Sequence, residues 1–321
     1  MGRVLVTTDY LRPGDAVDQL LRGHGHEVVH RPHRGPRTAE ELAEIFAGVD
    51  AALVASEPIT DTSLAISPRL RVVARSGVGY DSVDVEAATR LGIAVANTPG
   101  ANSTAVAEMT IAMLLLCARR LPETIDGVRI GGWPRHDTHE LRGATLGIVG
   151  FGASGRAVAR LAGAFGMTVL VHSRNPDDTA AVTFVGLNEL LTRSDYVSLH
   201  AKLDDTTRDL IDSRALRLMK PSAFLVNTAR GALVDEVALG DAVRSGTIAG
   251  AALDVLRHEP MRPDDPLRDV AGIVVLSHLA GQTAQARANA GLAAARTVVA
   301  VLAGEQPVEV VNPEVFAMAA G

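Results

Sequence analysis

The sequence predicts an α/β protein with two doubly wound parallel-sheet domains in tandem. Three observations support this fold class. Short apolar runs alternate with amphipathic stretches through the first hundred residues, the alternation restarts after Pro99-Gly100, and a glycine-rich turn lies between a strand-like and a helix-like segment in the second half. A chain of 321 residues is long enough for each domain to bury its own core.

The first domain is predicted from alternating strand and helix patterns. Five runs rich in β-branched or small apolar residues are predicted as strands, at residues 4–7, 27–30, 51–54, 71–74 and 94–96. Helical spacing occurs between them, near residues 15–22, 39–47, 62–66 and 85–91, and Gly92 follows the last as a helix stop. Strands separated by helices indicate a parallel sheet that is covered on both faces.

The second domain repeats this pattern over a longer stretch. One apolar helix is predicted over residues 103–121, and strands are predicted at residues 146–149, 168–171, 196–200, 223–227, 250–254 and 273–276. A last helix at 284–302 ends before Gly304, and residues 308–313 are predicted to be strand-like or extended. Because this helix and tail follow the final strand, we expect them to return to the first domain. The expected domains are residues 1–99 with 283–321, and residues 100–282.

The composition excludes several classes of partner. The formal net charge is −6, so we expect no binding to nucleic acid or to an anionic membrane, and no apolar run approaches the ~20 residues of a membrane span. Cys117 is the single cysteine and lies in an apolar run, which predicts a buried side chain rather than a nucleophile and favours a cytoplasmic location. Four histidines precede Gly35 without a cysteine or carboxylate cluster, so no metal is expected; they are His24, His26, His30 and His33.

The glycine-rich turn contains Gly150, Gly152 and Gly155. A predicted strand leads into it, a helical segment leads out, and a second strand follows at residues 168–171. This is the setting in which glycines allow a tight turn, let a pyrophosphate approach the backbone and let a helix pack on a strand. The turn therefore predicts a dinucleotide site, with a purely structural turn as the alternative.

The residue after the second strand of such a unit distinguishes NAD from NADP. An acidic side chain there binds the adenosine ribose and repels a 2′-phosphate. Ser173 and Arg174 occupy this place instead. Because a hydroxyl and a guanidinium suit a phosphate, we expect NADP(H) to be favoured over NAD(H). The alternative is that Arg174 only points to solvent.

Three residues with acid–base or anion-binding chemistry follow the carboxyl ends of predicted strands. His278 follows the strand at 273–276, Glu259 lies in the loop after the strand at 250–254, and Arg230 follows the strand at 223–227. His278 is suited to move a proton on a substrate oxygen, and Glu259 to fix its tautomer and stabilise its protonated form. Arg230 is suited to bind a carboxylate. A solvated loop acid and a phosphate-side cation remain the alternatives for Glu259 and Arg230.

The chain resembles the D-isomer-specific 2-hydroxyacid dehydrogenase family. Matching segments occur in family order over nearly the whole chain, at residues 75–81, 97–100, 103–108, the glycine-rich turn, 227–231, 252–255, 259–260 and 278–281. The resemblance implies a flavodoxin-like substrate domain and a Rossmann cofactor domain with a cleft that closes between them. It also implies a homodimer formed mainly through the cofactor domain, with the helix at 103–121 in the interface.

The resemblance also implies roles for individual residues. Arg230, Glu259 and His278 would be catalytic, and Asp254 would bind the nicotinamide carboxamide. Residues expected at the substrate are Ser56, Val78, Gly79 and Arg230. Residues expected at the cofactor are Gly150, Gly152, Ala153, Ser154, Gly155, Ser173, Arg174, Ala201, Thr228, Ala229, Asp254 and Gly281.

One departure bears on the substrate. Phosphoglycerate dehydrogenases of this family place an arginine where Ala55 stands, and Glu57 follows nearby, which disfavours a phosphorylated substrate. We therefore expect a reductase of small 2-keto acids of the glyoxylate or hydroxypyruvate type. A phosphoglycerate dehydrogenase is the alternative within enzymes. An NAD(H)-sensing protein similar to the C-terminal-binding-protein corepressors is the alternative from another class.

Overall fold

The computed structural model describes residues 1–32, 37–55, 57–177 and 181–318. His33 and the expected substrate residue Ser56 lie outside these ranges. The chain divides into two compact units. Unit 1 comprises Met1–Asn102 and Gln282–Gly321, and unit 2 comprises Ser103–Gly281.

Unit 1 is a five-stranded parallel sheet with helices between its strands. Its strands are β1 (Arg3–Val6), β2 (Glu27–His30), β3 (Ala51–Val54), β4 (Val72–Arg75) and β5 (Ala94–Ala96). Its helices are α1 (Ala16–Gly23), α2 (Ala39–Phe46), α3 (Asp61–Ala65), α4 (Val85–Arg90), α11 (Ala284–Ala303) and α12 (Glu314–Met318). The strand order β2-β1-β3-β4-β5 reverses direction between β1 and β3, so the predicted doubly wound, flavodoxin-like sheet is confirmed.

The core of unit 1 lies on both faces of its sheet. Val4 and Val6 of β1 are buried among side chains of α1 and α11, and Leu5 between them is buried on the opposite face with Phe46 of α2. Burial on both faces explains why the central strands are continuously apolar rather than alternating.

Unit 2 contains a seven-stranded parallel sheet. Its strands are β6 (Thr145–Val149), β7 (Thr168–His172), β8 (Thr183–Phe184), β9 (Tyr196–Leu199), β10 (Phe224–Asn227), β11 (Gly250–Leu253) and β12 (Ile273–Val275). Its helices are α5 (Ser103–Ala118), α6 (Leu121–Arg129), α7 (Ala153–Ala164), α8 (Leu187–Arg193), α9 (Ser213–Leu218) and α10 (Glu236–Arg244). The strand order is β12-β11-β10-β9-β6-β7-β8, which reverses between β6 and β9 as the Rossmann prediction requires.

Helix α5 is mostly apolar because most of its side chains are buried. It packs against α7, β10 and β11, with Ile111, Met113 and Leu114 in the core. Cys117 is also buried, and burial raises the pKa of its thiol to about 12. The thiol is therefore a packing group, as predicted. Across the described residues, α5 and every other helix fall short of the length and apolarity needed to cross a membrane.

The prediction of one helix over residues 103–121 is wrong. Helix α5 ends at Ala118, Arg120 adopts a left-handed conformation with φ 48°, and α6 starts at Leu121. Pro122 explains the break, since it has no N–H to continue the ladder to Ala118 and its ring clashes with a preceding helical turn. The carbonyl of Ala118 instead accepts a hydrogen bond from His139 N at 3.0 Å.

The predicted extended tail runs along the edge of β5 without forming a regular strand. Ala96 and Val310 form a single antiparallel bridge. The side chain of Asn312 fastens the tail, because its Oδ1 accepts from Val95 N at 2.8 Å and its Nδ2 donates to Ile93 O at 3.0 Å. The carboxyl-terminal segment thus covers the edge strand of unit 1.

Candidate active site

Two glycines of the glycine-rich turn are required by the fold itself. Gly150 follows β6 with φ 97°, and a methyl group on it would lie 2.5 Å from Ala201 N. A methyl group on Gly155 would lie 2.3 Å from Gly150 O, so this glycine lets α7 pack on the turn. Real side chains do not approach this closely, and neither position accepts alanine without a backbone shift.

Gly152 differs because nothing in the described protein requires it to be glycine. Its φ of −77° is ordinary, and no heavy atom lies within 4 Å of the position that a methyl group would take. The first hydrogen bond of α7 runs from Arg156 N to Gly152 O, so the N–H groups of Ala153 and Ser154 precede the ladder. Open space at unpaired helical N–H groups fits an incoming anion such as a pyrophosphate.

The end of β7 carries a hydroxyl and a paired guanidinium. Ser173 Oγ accepts from Asn175 N at 3.2 Å. Arg174 is 63% exposed, yet its Nη2 lies 2.9 Å from Asp204 Oδ2 in the loop after β9. Hydrogen bonds from Thr206 and Arg174 lower the pKa of Asp204 to about 2. Arg174 is therefore oriented by an acid rather than merely directed to solvent.

His278 is held in a tight turn after β12. It has φ 56°, an uncommon conformation for a residue other than glycine, and its N–H donates to Asp254 O at 2.8 Å. The buried carboxylate of Asp254 completes the turn, because it accepts from Leu279 N at 2.9 Å and from Ala280 N at 2.8 Å. Asp254 thus orients His278 through the backbone, and its expected contact with a carboxamide stays a prediction.

His278 and Glu259 are directly bonded. Nδ1 of His278 lies 2.7 Å from Oε2 of Glu259, and Leu256 N donates to Oε1 at 2.9 Å. Burial raises the pKa of Glu259, but the bonds from His278 and Leu256 and the charge of Arg230 outweigh it, so the pKa lies below its usual range. The carboxylate is an acceptor only, so Nδ1 is the donor and Nε2 is the nitrogen that remains for proton transfer.

Arg230 follows β10 in a turn fixed by Asn227. Asn227 Oδ1 accepts from Ala229 N at 3.0 Å, and its Nδ2 donates to Arg230 O at 2.8 Å. A methyl group on Gly231 would lie 1.9 Å from the carbonyl carbon of Leu256, so the Arg230 turn packs directly on the loop that carries Glu259. Sequence reasoning missed the role of Asn227, although an asparagine at a strand end is a turn signal.

The remaining expected cofactor residues of unit 2 also lie beyond strand ends. Thr228 and Ala229 follow β10, and Ala201 lies two residues after β9. Thr228 is buried, and its Oγ1 lies 3.2 Å from Thr110 Oγ1 of α5. Gly281 is the last residue of unit 2.

In unit 1, Val78 and Gly79 lie in a turn after β4. Asn97 Nδ2 donates to Val78 O at 2.6 Å, and Thr98 N donates to Gly77 O at 3.0 Å, so residues at the end of β5 hold this turn. Val78 is 38% exposed.

The carboxyl end of β3 carries a buried acid. Glu57 is 6% exposed, and its Oε2 accepts from Ala55 N at 2.8 Å. A buried carboxylate is unsuited to a phosphate neighbour, because the two negative charges repel each other.

A family model for the D-isomer-specific 2-hydroxyacid dehydrogenase NAD-binding domain matches residues 111–280. The chain belongs to this family. It is therefore an oxidoreductase with an NAD-binding domain in unit 2, and the chain has the two parallel-sheet α/β folds that this family combines.

Named relatives of this chain include glyoxylate reductases and D-3-phosphoglycerate dehydrogenases. A glyoxylate reductase of Aeropyrum pernix is 45% identical over 78% of this chain and 79% of its own. A D-3-phosphoglycerate dehydrogenase of Mycobacterium leprae is 40% identical over 90% of this chain and 56% of its own. The solved NADPH-dependent glyoxylate/hydroxypyruvate reductase of Sinorhizobium meliloti, in complex with NADP and malonate, superposes with a TM-score of 0.83 at 29% identity, covering 97% of both chains.

Proposed function

We propose that this family member reduces small 2-keto acids of the glyoxylate and hydroxypyruvate type with NADPH. The observation that carries the proposal is the 2.7 Å bond between His278 Nδ1 and Glu259 Oε2, since it prepares a histidine for proton transfer on the substrate oxygen. Relatives named glyoxylate reductase support the same substrate class.

The chemistry follows from the bonded pair. A reduced nicotinamide, when bound by unit 2, would supply the hydride that the keto carbon receives. His278 donates its Nε2 proton to the keto oxygen, which becomes the hydroxyl of the product. Glu259 keeps Nδ1 protonated and stabilises the imidazolium until this transfer. Replacing His278 with Asn should lower kcat by about 10²–10⁴-fold and leave the Kd for NADPH unchanged. Near-normal turnover of His278→Asn would refute this role.

We assign the substrate carboxylate to Arg230. A guanidinium binds a carboxylate through two parallel hydrogen bonds, and Asn227 orients this residue through its backbone. The backbone N–H groups of Val78 and Gly79, and Ser56, are proposed as further substrate ligands. Arg230→Lys should raise KM for the keto acid at least tenfold, because lysine cannot form the paired bonds.

We propose that the cofactor is NADPH rather than NADH. Gly152, Ala153 and Ser154 would hold the pyrophosphate at α7, and Ser173 and Arg174 would receive the 2′-phosphate. The ion pair with Asp204 orients Arg174 near the end of β7 and also competes with a phosphate for its charge.

The cofactor proposal is tested by comparing kcat/KM for NADPH and NADH. The wild type should have a higher kcat/KM with NADPH than with NADH. Arg174→Ala should reduce the ratio of these two values at least tenfold, and Asp204→Asn should increase it. Arg193→Ala is a matched control, because Arg193 is an exposed arginine paired with Glu189 on α8. A wild-type preference for NADH would contradict the proposal.

The substrate proposal is tested with a panel of keto acids while NADPH absorbance is followed. Glyoxylate or hydroxypyruvate should give the highest kcat/KM, above pyruvate and phenylpyruvate. A phosphoglycerate dehydrogenase is the second candidate because a relative of that name is 40% identical. The buried Glu57 argues against it, so 3-phosphohydroxypyruvate should be used at least tenfold less efficiently. A preference for the phosphorylated acid would reverse the assignment.

We propose a homodimer formed mainly through unit 2, in which α6 extends the interface expected for the helix at residues 103–121. Leu121, Ile125 and Val128 share one face of α6 and are each 41–48% exposed, and Ile130 and Trp133 beyond it are 87% and 77% exposed. An apolar surface of this kind is typical of a subunit interface, and a second copy of unit 2 is its proposed occupant. Analytical ultracentrifugation of the wild type should show a dimer. The double variant with Ile125→Glu and Val128→Glu should be a monomer. A monomeric wild type at micromolar concentration would refute the interface.

We also propose a cytoplasmic location, because Cys117 is a buried free thiol and a single cysteine can form no disulfide within the chain. Cell fractionation with an antibody tests this, and recovery from the membrane or the medium would contradict it.

A further inference from the structure

A buried carboxylate outside the catalytic residues holds the loop that carries Glu259. Glu236 is the first residue of α10 and is 8% exposed. Its Oε1 accepts a hydrogen bond from Arg257 N at 2.6 Å. Burial raises the pKa of Glu236, because removing a carboxylate from water costs free energy, and the N–H and charge of Arg257 offset part of this effect. Because burial of this carboxylate costs free energy, we expect Glu236 to have a structural or functional role.

Three contacts fasten this loop to the segment that carries Arg230, and a fourth joins it to Asp209, which precedes α9. Leu256 lies against Gly231 so closely that a methyl group there could not fit. Arg257 N bonds to Glu236, and the Arg257 guanidinium bonds to Val234 O at 2.9 Å and to the carboxylate of Asp209. Glu236 therefore belongs to a junction between the two segments that supply Arg230 and Glu259.

Glu236 acts on Glu259 through two consecutive peptide groups. The N–H of Arg257 is fixed by Glu236, and the N–H of the preceding residue, Leu256, bonds to Glu259 Oε1 at 2.9 Å. Since the two amides are separated by only the φ and ψ of Leu256, fixing one limits the direction of the other. The Leu256 amide in turn sets where the carboxylate of Glu259 meets His278.

We propose that Glu236 is a positioning residue that fixes Glu259 against His278 and Arg230, and so sets the rate of proton transfer without touching the substrate. This inference rests on the proposed reaction, in which His278 gives the proton. A misplacement of about 1 Å at a catalytic group can cost about a hundredfold in rate.

Glu236→Gln and Glu236→Met separate positioning from charge. Glutamine retains a carbonyl oxygen that accepts the Arg257 N–H, so kcat per cofactor-binding site should stay within about threefold of the wild type. Methionine keeps the chain length but has no such acceptor, so kcat should fall 10–100-fold. The Kd for NADPH should be unchanged in both. Asp241→Leu is the matched control, because Asp241 is an exposed acid on the same helix.

A solvent deuterium isotope effect distinguishes positioning from partial unfolding. If proton transfer becomes slower, the isotope effect on kcat should rise in Glu236→Met. Partial unfolding would reduce the number of binding sites and leave the isotope effect unchanged. Asp209→Asn is the second variant if Glu236→Met does not fold. It weakens the anchor of Arg257 at an exposed pair and should lower kcat about two- to fivefold.

Nitrogen-15 spectra of the histidine rings in the cofactor-free protein give a readout without catalysis. The wild type should show His278 with a protonated Nδ1, assigned by loss of the signal in His278→Asn, and Glu236→Met should show a mixture of tautomers. The inference is overturned if Glu236→Met keeps wild-type kcat and ring signals, or if Glu236→Gln is as slow as Glu236→Met. If the wild type reduces no keto acid, the proposed reaction fails, and the ring signals still decide whether Glu236 positions the pair.

Discussion

The three glycines of the turn after β6 are expected to respond differently to alanine. At Gly152 the methyl group meets no atom within 4 Å. A lower entropy of the unfolded chain stabilises the variant by about 0.4–1 kcal/mol, and loss of glycine at the helix N-cap costs about as much. The free energy of unfolding should therefore stay within about 1 kcal/mol of the wild type.

At Gly155 the methyl group would lie 2.3 Å from Gly150 O, so α7 must move. Overpacking of this kind costs about 1–3 kcal/mol. For a domain of this size each kcal/mol lowers Tm by about 2–4 °C. Thermal unfolding of Gly155→Ala should therefore shift to a lower Tm by about 2–12 °C.

The effect on NADPH binding should be large at Gly152, where the effect on stability is small. The open space at Gly152 is assigned to the pyrophosphate, so Gly152→Ala should weaken NADPH binding at least about tenfold, or 1.4 kcal/mol, in a fluorescence titration. Gly163→Ala is the control, because Gly163 also has no neighbour within 4 Å but lies in the last turn of α7, away from the glycine-rich turn. It should raise stability by up to about 1 kcal/mol and leave the Kd unchanged. A wild-type Kd for Gly152→Ala would refute the assignment of the pyrophosphate to this space.

Three further predictions concern ionisable groups. Burial lowers the pKa of His200 to about 4. Unit 2 should therefore lose up to about 3 kcal/mol of stability as pH falls from about 6.5 to 4. His200→Gln should make the Tm of the protein less dependent on pH in this range. Burial would raise the pKa of Asp18, but bonds from Arg22, Gly14 and His30 lower it to about 2. Asp18→Asn should therefore destabilise unit 1 by about 1–3 kcal/mol at pH 7, with the difference lost as pH falls from about 4 towards 2. Cys117 should not react with a thiol reagent until the protein unfolds, and rapid labelling of the native protein would contradict its burial.

The fold was predictable because strands buried on both faces leave continuous apolar runs in the sequence. The strands of both sheets lie within a residue or two of their expected positions, apart from β8, whose two residues are too short to form a pattern. The break between α5 and α6 was missed because Arg119, Arg120 and Leu121 are residues that a helix readily accommodates, and Pro122 is the residue that indicates that the helix cannot continue.

The residues proposed to be catalytic were easier to predict from the sequence than the residues that position them. His278, Glu259 and Arg230 have side chains whose roles can be inferred from type and position after a strand. Glu236 and Asp204 act through contacts with residues about 20 and 30 positions away in the chain, and no local pattern indicates such a partner. The three glycines also look alike in sequence, and only the spacing of neighbouring atoms separates Gly152 from the others.

In the proposed reaction, a hydride from NADPH and a proton from His278 are added to a small 2-keto acid. The most direct test is to incubate the purified enzyme with hydroxypyruvate and NADPH and to measure both the NADPH oxidised and the enantiomer of glycerate formed. We predict one D-glycerate for each NADPH oxidised, and essentially none with His278→Asn. Formation of L-glycerate, oxidation of NADPH without glycerate, or full activity of His278→Asn would rule out this reaction.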